Sequence, residues 1–216
     1  MHQACPKKTL VILTGGTIEA LYDPAHGTPY YVPVPARVED SAIPGALEKL
    51  GLRDACDIYP LRMKDSKQIT TADLDHILVT LAEGDYNAAV VVHGTDTMPI
   101  HARYLKRRLA EYGAEQGMDD KRIIFTGAMY PLRDAQGQWR DPAVIPQMND
   151  GWENLRRAVA QAPNAAPGVY LEMGQGLWDA DSVTKHVQTE NDRPDTKVRH
   201  SEFQRLDPER TRDVRF

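Results

Sequence analysis

Apolar residues along this chain come in short, dense bursts separated by longer stretches of helical spacing. The bursts are Leu10-Val11-Ile12-Leu13 and Ala88-Ala89-Val90-Val91-Val92, with shorter ones later. Continuous β-branched runs of this length read as strands buried on both faces, as in a parallel sheet. They predict strands over 9–14, 57–61, 88–93, 122–126 and 169–173. Between them the spacing changes to that of helices. The stretch 37–50 includes a helix ending at Gly51. Residues 71–83 begin at a threonine cap and place Leu74, Ile77, Leu78 and Leu81 on one face. A third helix over 98–112 carries Met98, Ala102, Leu105 and Leu109. A fourth, over 149–161, carries Trp152, Leu155, Ala158 and Val159. Strands alternating with helices predict a three-layer α/β/α domain around a mainly parallel sheet.

Two long connections stand out. Residues 22–34 hold four or more turn-formers and three tyrosines, and residues 133–147 hold Gly137, Trp139, Pro142 and Pro146. Structureless connections of that length are often lids over a site. Beyond Met173 the chain turns polar, and from Asn191 on it has no apolar period. Residues 1–190 are therefore expected to form the domain, and 191–216 an irregular polar tail able to pack on a neighbouring subunit.

Composition narrows the function classes. At 216 residues the chain can bury one substantial core. Lys and Arg number 26 against 31 Asp and Glu, a net charge of −5. That balance lacks the basic excess of a nucleic-acid-binding domain. Lys106-Arg107-Arg108 and Arg156-Arg157 read as solvated helix faces. No run is long enough to span a membrane, and the start of the chain lacks the apolar core of a signal peptide. Cys5 and Cys56 show no ligand spacing and read as free thiols in a reducing cytoplasm. The seven histidines are scattered and show no metal-site spacing.

The chemistry concentrates where two predicted strands end. After the first comes Thr14-Gly15-Gly16-Thr17-Ile18, and after the third His93-Gly94-Thr95-Asp96-Thr97-Met98. The carboxyl edge of an open α/β sheet is where ligands bind, and glycines there let backbone N–H groups approach a ligand. Each motif alone also reads structurally. Thr-Gly-Gly-Thr is a plausible strand-to-loop turn, Asp96-Thr97 a helix cap, and Lys185 a surface lysine.

Taken together, the motifs resemble those of the bacterial-type L-asparaginase family of threonine amidohydrolases. The likeness includes Asp65-Ser66 between the two motifs, Gly127-Ala128-Met129 after the fourth strand, and Val183-Thr184-Lys185. It runs from the first strand to about Lys185, and implies the N-terminal domain of that family, with its usual C-terminal domain absent. The implied activity is hydrolysis of the side-chain amide of asparagine, and in some members glutamine, through a threonyl-acyl intermediate. Thr17 matches the nucleophile, with Gly16 beside it to hold the chain tight or stabilise charge. Thr95, Asp96 and Lys185 match a triad that activates water or relays protons, with Asp96 orienting Lys185 and accepting the substrate's α-ammonium. Ser66 matches the group that binds the α-carboxylate. The residue after that serine is usually glutamine or another short polar group, and here it is Lys67, followed by Gln68. Either Lys67 points outward and Gln68 does the work, or recognition differs. Tyr30 matches a catalytic tyrosine on a mobile loop, with Tyr22 and Tyr31 as competitors for that register. Ala128 matches a substrate contact through its carbonyl. The resemblance also implies no metal and no other cofactor, and a homo-oligomer in which a second surface covers the cleft. The rival readings are an amino-acid-binding or sensing module, or an amidase-like protein, with little or no asparaginase turnover.

Overall fold

The structure, a computed structural model, describes residues 7–23, 30–32, 38–141, 143, 149–174, 176–189 and 199–205. Its centre is a six-stranded sheet. The strands are β1 (Thr9–Gly15), β4 (Cys56–Lys64), β5 (Ala88–Val92), β6 (Arg122–Thr126), β8 (Gly168–Met173) and β9 (Gly176–Asp179). Their order is β4-β1-β5-β6-β8-β9. All neighbours are parallel except the final pair. β1 and β5 lie inside the sheet, and every residue of both is buried, as their unbroken apolar runs require.

Four helices cover the two faces: α1 (Ile43–Lys49), α2 (Thr71–Glu83), α3 (Met98–Gln116) and α4 (Asp150–Gln161). Alternate residues of β1 serve opposite layers. Leu10 and Ile12 pack with α2 and α3, while Val11 and Leu13 pack with α1 and α4. Helix boundaries follow local chemistry. Thr70 and Asp73 form a reciprocal capping box at the start of α2. α3 runs four residues beyond its expected end and stops at Gly117, whose φ is +65°. The basic residues on helices are paired with acids: Lys106 with Asp179 and Asp181, Arg108 with Asp75 and Glu111, and Arg156 with Glu153.

The crossovers through α3 and α4 each step one strand the same way across the sheet, yet α3 and α4 lie on opposite faces. They therefore have opposite hands. The α1, α2 and α3 connections share one hand, so the α4 connection is the exception to the right-handed rule.

The short strands depart from expectation. Segment 22–34 was read as structureless, but its described part pairs as strands. β2 (Leu21–Asp23) runs antiparallel to β3 (Tyr30–Val32) and parallel to β7 (Arg133–Asp134), making a three-stranded sheet. Backbone pairing across the carboxyl edge satisfies groups that a free loop would leave to water. The polar tail also has structure. β10 (Val183–Thr189) pairs antiparallel with β11 (Arg199–Arg205), so at least seven residues of the expected irregular tail form a strand. Residues 190–198 and 206–216, Cys5, and residues 24–29 and 33–37 lie outside the described part.

Candidate active site

The sheet changes direction at β1. From β1 the chain steps outward to β4, then returns past β1 to β5. That reversal opens a crevice at the carboxyl ends of β1 and β5, the switch point where α/β sheets bind ligands. Both motifs leave the sheet there.

Threonine hydroxyls at strand ends do structural work before any chemistry. Thr14 Oγ1 donates to Val92 O at 2.8 Å, locking the end of β1 to the end of β5. Gly16 then adopts a φ of +95°, which side chains rarely reach. A Cβ on Gly16 would lie 2.4 Å from Gly94 N, so the two motif backbones touch. Thr17 and Thr95, each one residue further on, flank that contact. A Cβ on Gly94 would in turn lie 2.7 Å from Ser66 Cβ, which brings the third motif against the second.

Thr17 opens a short 3-10 turn, Thr17–Glu19, and is partly exposed. The turn is held from beneath by Glu19, which has no exposed surface. Ser41 Oγ and Ala42 N each donate to its carboxylate at 2.7 Å, just ahead of α1. Burial pushes the Glu19 carboxyl above its ordinary range, and the two hydrogen bonds and the charge of Arg133 only partly oppose this. On its other side, Ile18 meets later chain. Leu132 N donates to Ile18 O at 3.4 Å, and a Cβ on Gly151 would fall within 3.3 Å of Ile18, Leu132 and Ala128.

Lys185 lies on β10, far along the chain, but its ammonium reaches this edge. Its Nζ donates to Thr95 Oγ1 at 2.9 Å and to Asp96 Oδ1 at 2.6 Å. The lysine side chain is only 7% exposed. Its position follows from Arg103 of α3, which donates to Val183 O at 2.9 Å and ties β10 to the domain. Asp96 is half exposed, and a second lysine reaches it: Lys67 Nζ lies 3.2 Å from Asp96 Oδ2. Burial raises the Asp96 carboxyl, but the hydrogen bonds and charges of Lys185 and Lys67 outweigh it, leaving the group below its ordinary range.

Lys67 is therefore exposed and yet reaches Asp96. It stands on the Ser66–Gln68 turn, with its N–H donating to Asp65 Oδ1 at 2.8 Å. Ser66 is buried and Gln68 exposed. The Ala128 side chain is fully buried in the apolar layer of α1 and α4, so only its backbone is available to a ligand. Asp150 holds that turn through Met129 N at 2.9 Å. The Tyr30 and Tyr31 side chains lie outside the described part. Tyr22 lies under the Arg140 guanidinium, 4.1 Å from its ring. Among the described residues no three His, Cys, Asp or Glu side chains gather as a metal site would need.

Sequence reasoning assigned no role to two histidines that frame the site. His93 is fully buried. Its Nδ1 lies 2.7 Å from Gly94 O, a carbonyl, so Nδ1 carries the proton and Nε2 accepts. His101 Nδ1 lies 2.9 Å from that Nε2 and donates to it. Thr97 Oγ1, 3.3 Å from His101, donates to Ser66 O at 3.1 Å. This chain of bonds links the Ser66 turn, the Gly94 loop and α3. Desolvation lowers both imidazoles, and that of His93 falls to about 3. The only sequence signal was a histidine ending an apolar strand.

Fold and site together define an α/β domain with a hydroxyl–lysine–carboxylate cluster at the switch point of its sheet. A family model described as asparaginase, N-terminal, matches residues 8–197, and the chain belongs to that family. Among solved structures it is similar to the thermostable L-asparaginase from Thermococcus kodakarensis. That match has 22% identity and a TM-score of 0.53, over 82% of this chain and 47% of that one. It is also similar to a probable cytoplasmic L-asparaginase from Campylobacter jejuni. There the identity is 25% and the TM-score 0.55, over 82% of this chain and 49% of that one. The chain thus spans about half the length of these structures. No curated protein sequence matches it.

Proposed function

We propose that this chain hydrolyses a side-chain amide of the asparagine type to a carboxylate and ammonia. The observation that carries the reading is the Lys185 ammonium on Thr95 Oγ1 and Asp96, across the Gly16–Gly94 contact from Thr17. Thr17 Oγ1 attacks the amide carbon, and its proton passes to Thr95 Oγ1, directly or through one water, as Thr95 gives up its own. Backbone N–H groups around Gly16 and Gly94 suit the developing oxyanion. Because Thr95 Oγ1 accepts from Lys185, the Thr95 hydroxyl proton is free to go to the leaving nitrogen. Ammonia departs and leaves a threonyl ester. Water then attacks the ester, and its proton passes through Thr95 to the departing Thr17 oxygen, which restores the Thr17 hydroxyl. One water is consumed per amide, and Asp96 holds Lys185 in place throughout.

Ammonia release from asparagine, glutamine and their D-forms tests this. Thr17→Ala is expected to lower kcat by at least about a thousandfold with the circular dichroism spectrum unchanged. Lys185→Met and Thr95→Ala are expected to fall comparably, since the groups act as a unit. Intact mass after a rapid acid quench is expected to show an acyl adduct, which Thr17→Ala lacks. Near-normal turnover in Thr17→Ala would remove it as nucleophile. The half-exposed Asp96 supports a second copy of the chain over the cleft, which light scattering reads directly. Similarity to a probable cytoplasmic L-asparaginase from Campylobacter jejuni supports a cytoplasmic location, tested by cell fractionation. The Lys67–Asp96 pair favours one rival, a binding module, which calorimetry would reveal as amino-acid binding without ammonia release.

A further inference from the structure

Asp96 offers two carboxylate oxygens at the mouth of the crevice, and this chain's own ammonium groups meet both. Lys185 Nζ takes Oδ1 at 2.6 Å and Lys67 Nζ stands 3.2 Å from Oδ2. One negative charge thus faces two positive ones. Asp65 directs its Oδ1 to the Lys67 backbone N–H, not to the Lys67 ammonium. A cationic group entering beside Asp96 would meet one attraction and two repulsions. An anionic group would meet the reverse.

The two lysines differ in freedom. Lys185 is 7% exposed and bonded to two side chains, so it is fixed. Lys67 is 68% exposed, and among the described residues its ammonium meets Asp96 alone. An exposed ion pair is a weak tether, so Lys67 can leave Asp96 for a carboxylate that enters the crevice. Ser66, next to it in the chain, is buried against Gly94 and keeps the turn from moving away.

We propose that Lys67 makes the site select against a free α-ammonium, so that its preferred substrate is an amide that carries a carboxylate but no amine. Deaminated or N-acylated relatives of asparagine are the chemical class. The inference rests on the amide-hydrolysis reading above, and Lys67 is its specificity-determining residue.

The test compares L-asparagine with succinamate, which is asparagine without its amino group. Ammonia release is measured with the purified chain and with Lys67→Gln. Succinamate is expected to exceed asparagine at least tenfold in kcat/KM. Lys67→Gln is expected to shrink that ratio at least fivefold, because it removes a partner for carboxylate and frees Oδ2 for an ammonium. Lys67→Arg is expected to retain the preference. A wild-type ratio at or below one, or a ratio that Lys67→Gln leaves unmoved, overturns the proposal. If neither amide releases ammonia, calorimetric titration of succinate and L-aspartate into the same two proteins decides. Tighter succinate binding that depends on Lys67 retains the charge selection and discards only the hydrolytic reading. Equal binding, tighter aspartate binding, or no binding of either overturns the proposal.

Discussion

Glu19 carries more of the site than its place in the sequence suggests. It is two residues from Thr17, fully buried, and the acceptor for both Ser41 and Ala42. Glu19→Ala strands the buried Ala42 N–H and the half-buried Ser41 hydroxyl and is expected to cost about 2–3 kcal/mol in urea unfolding. Glu19→Gln keeps one acceptor and is expected to lose about half as much. Both are expected to lose activity out of proportion to stability, because the Thr17 turn loses its floor; assays at a temperature where both variants remain folded separate the two effects. At this scale the sequence was legible where chemistry is local. Gly-Gly before a threonine announces a tight turn, and Thr-Asp after a buried strand places polar groups at an edge. It could not show that Lys67 faces Asp96, because that depends on how two loops 29 residues apart are set against each other. Glu19 was illegible for the opposite reason: a glutamate after a polar motif looks solvated, and only the position of α1 makes it buried.

Among elements, loop meets loop backbone to backbone at Gly16 and Gly94. Gly16→Ala would put a methyl group 2.4 Å from Gly94 N in a backbone conformation L-residues avoid. It is expected to cost about 2–4 kcal/mol and at least a hundredfold in activity, as the two threonines are levered apart. Gly51→Ala is the control. It shares a positive φ but meets nothing within 4 Å, so only about 1–2 kcal/mol of backbone strain and no loss of activity are expected. Strands β1, β4, β5, β6 and β8 and the four described helices could be read from the chain, since burial on two faces or on one stripe leaves a period. The short strands could not. Two to four residues are too few to show alternation, and β2, β3 and β7 pair through their backbones. In β11, Arg199–Arg205, Phe203 is the single apolar residue, and it packs against the core opposite Lys185. One apolar position in seven has no period to detect.

For the whole molecule, the buried histidines set how stability answers to acid. An unfolded His93 takes up a proton near pH 6.5, whereas the folded ring stays neutral to about 3. Between those values the unfolded state binds more protons, so stability is fully present above about 6.5 and falls with pH. The loss approaches 1.4 kcal/mol per pH unit for this one group. His101, also lowered by burial, adds to it. Glu19, Asp150 and Glu172 oppose it, because burial raises their carboxyls and the folded state takes up their protons first. Urea midpoints between pH 7 and 4.5 are therefore compared for the wild type and His93→Asn, which keeps a donor for Gly94 O but does not titrate. The variant is expected to show a slope flatter by about one proton. The layered α/β architecture itself was legible from alternating elements. The reversed hand of the α4 connection was not, because handedness leaves no mark on local spacing. That connection also bears on the order in which a ribosome delivers the parts. Ile18 leaves the ribosome early, but Leu132 and Gly151, which shape its turn, follow more than a hundred residues later. At about 5–20 residues per second, Thr17 waits roughly 7–27 s for Gly151 to be made. Throughout synthesis of the first two-thirds of the chain, the nascent protein carries Thr17, the proposed nucleophile, without the later residues that shape its turn.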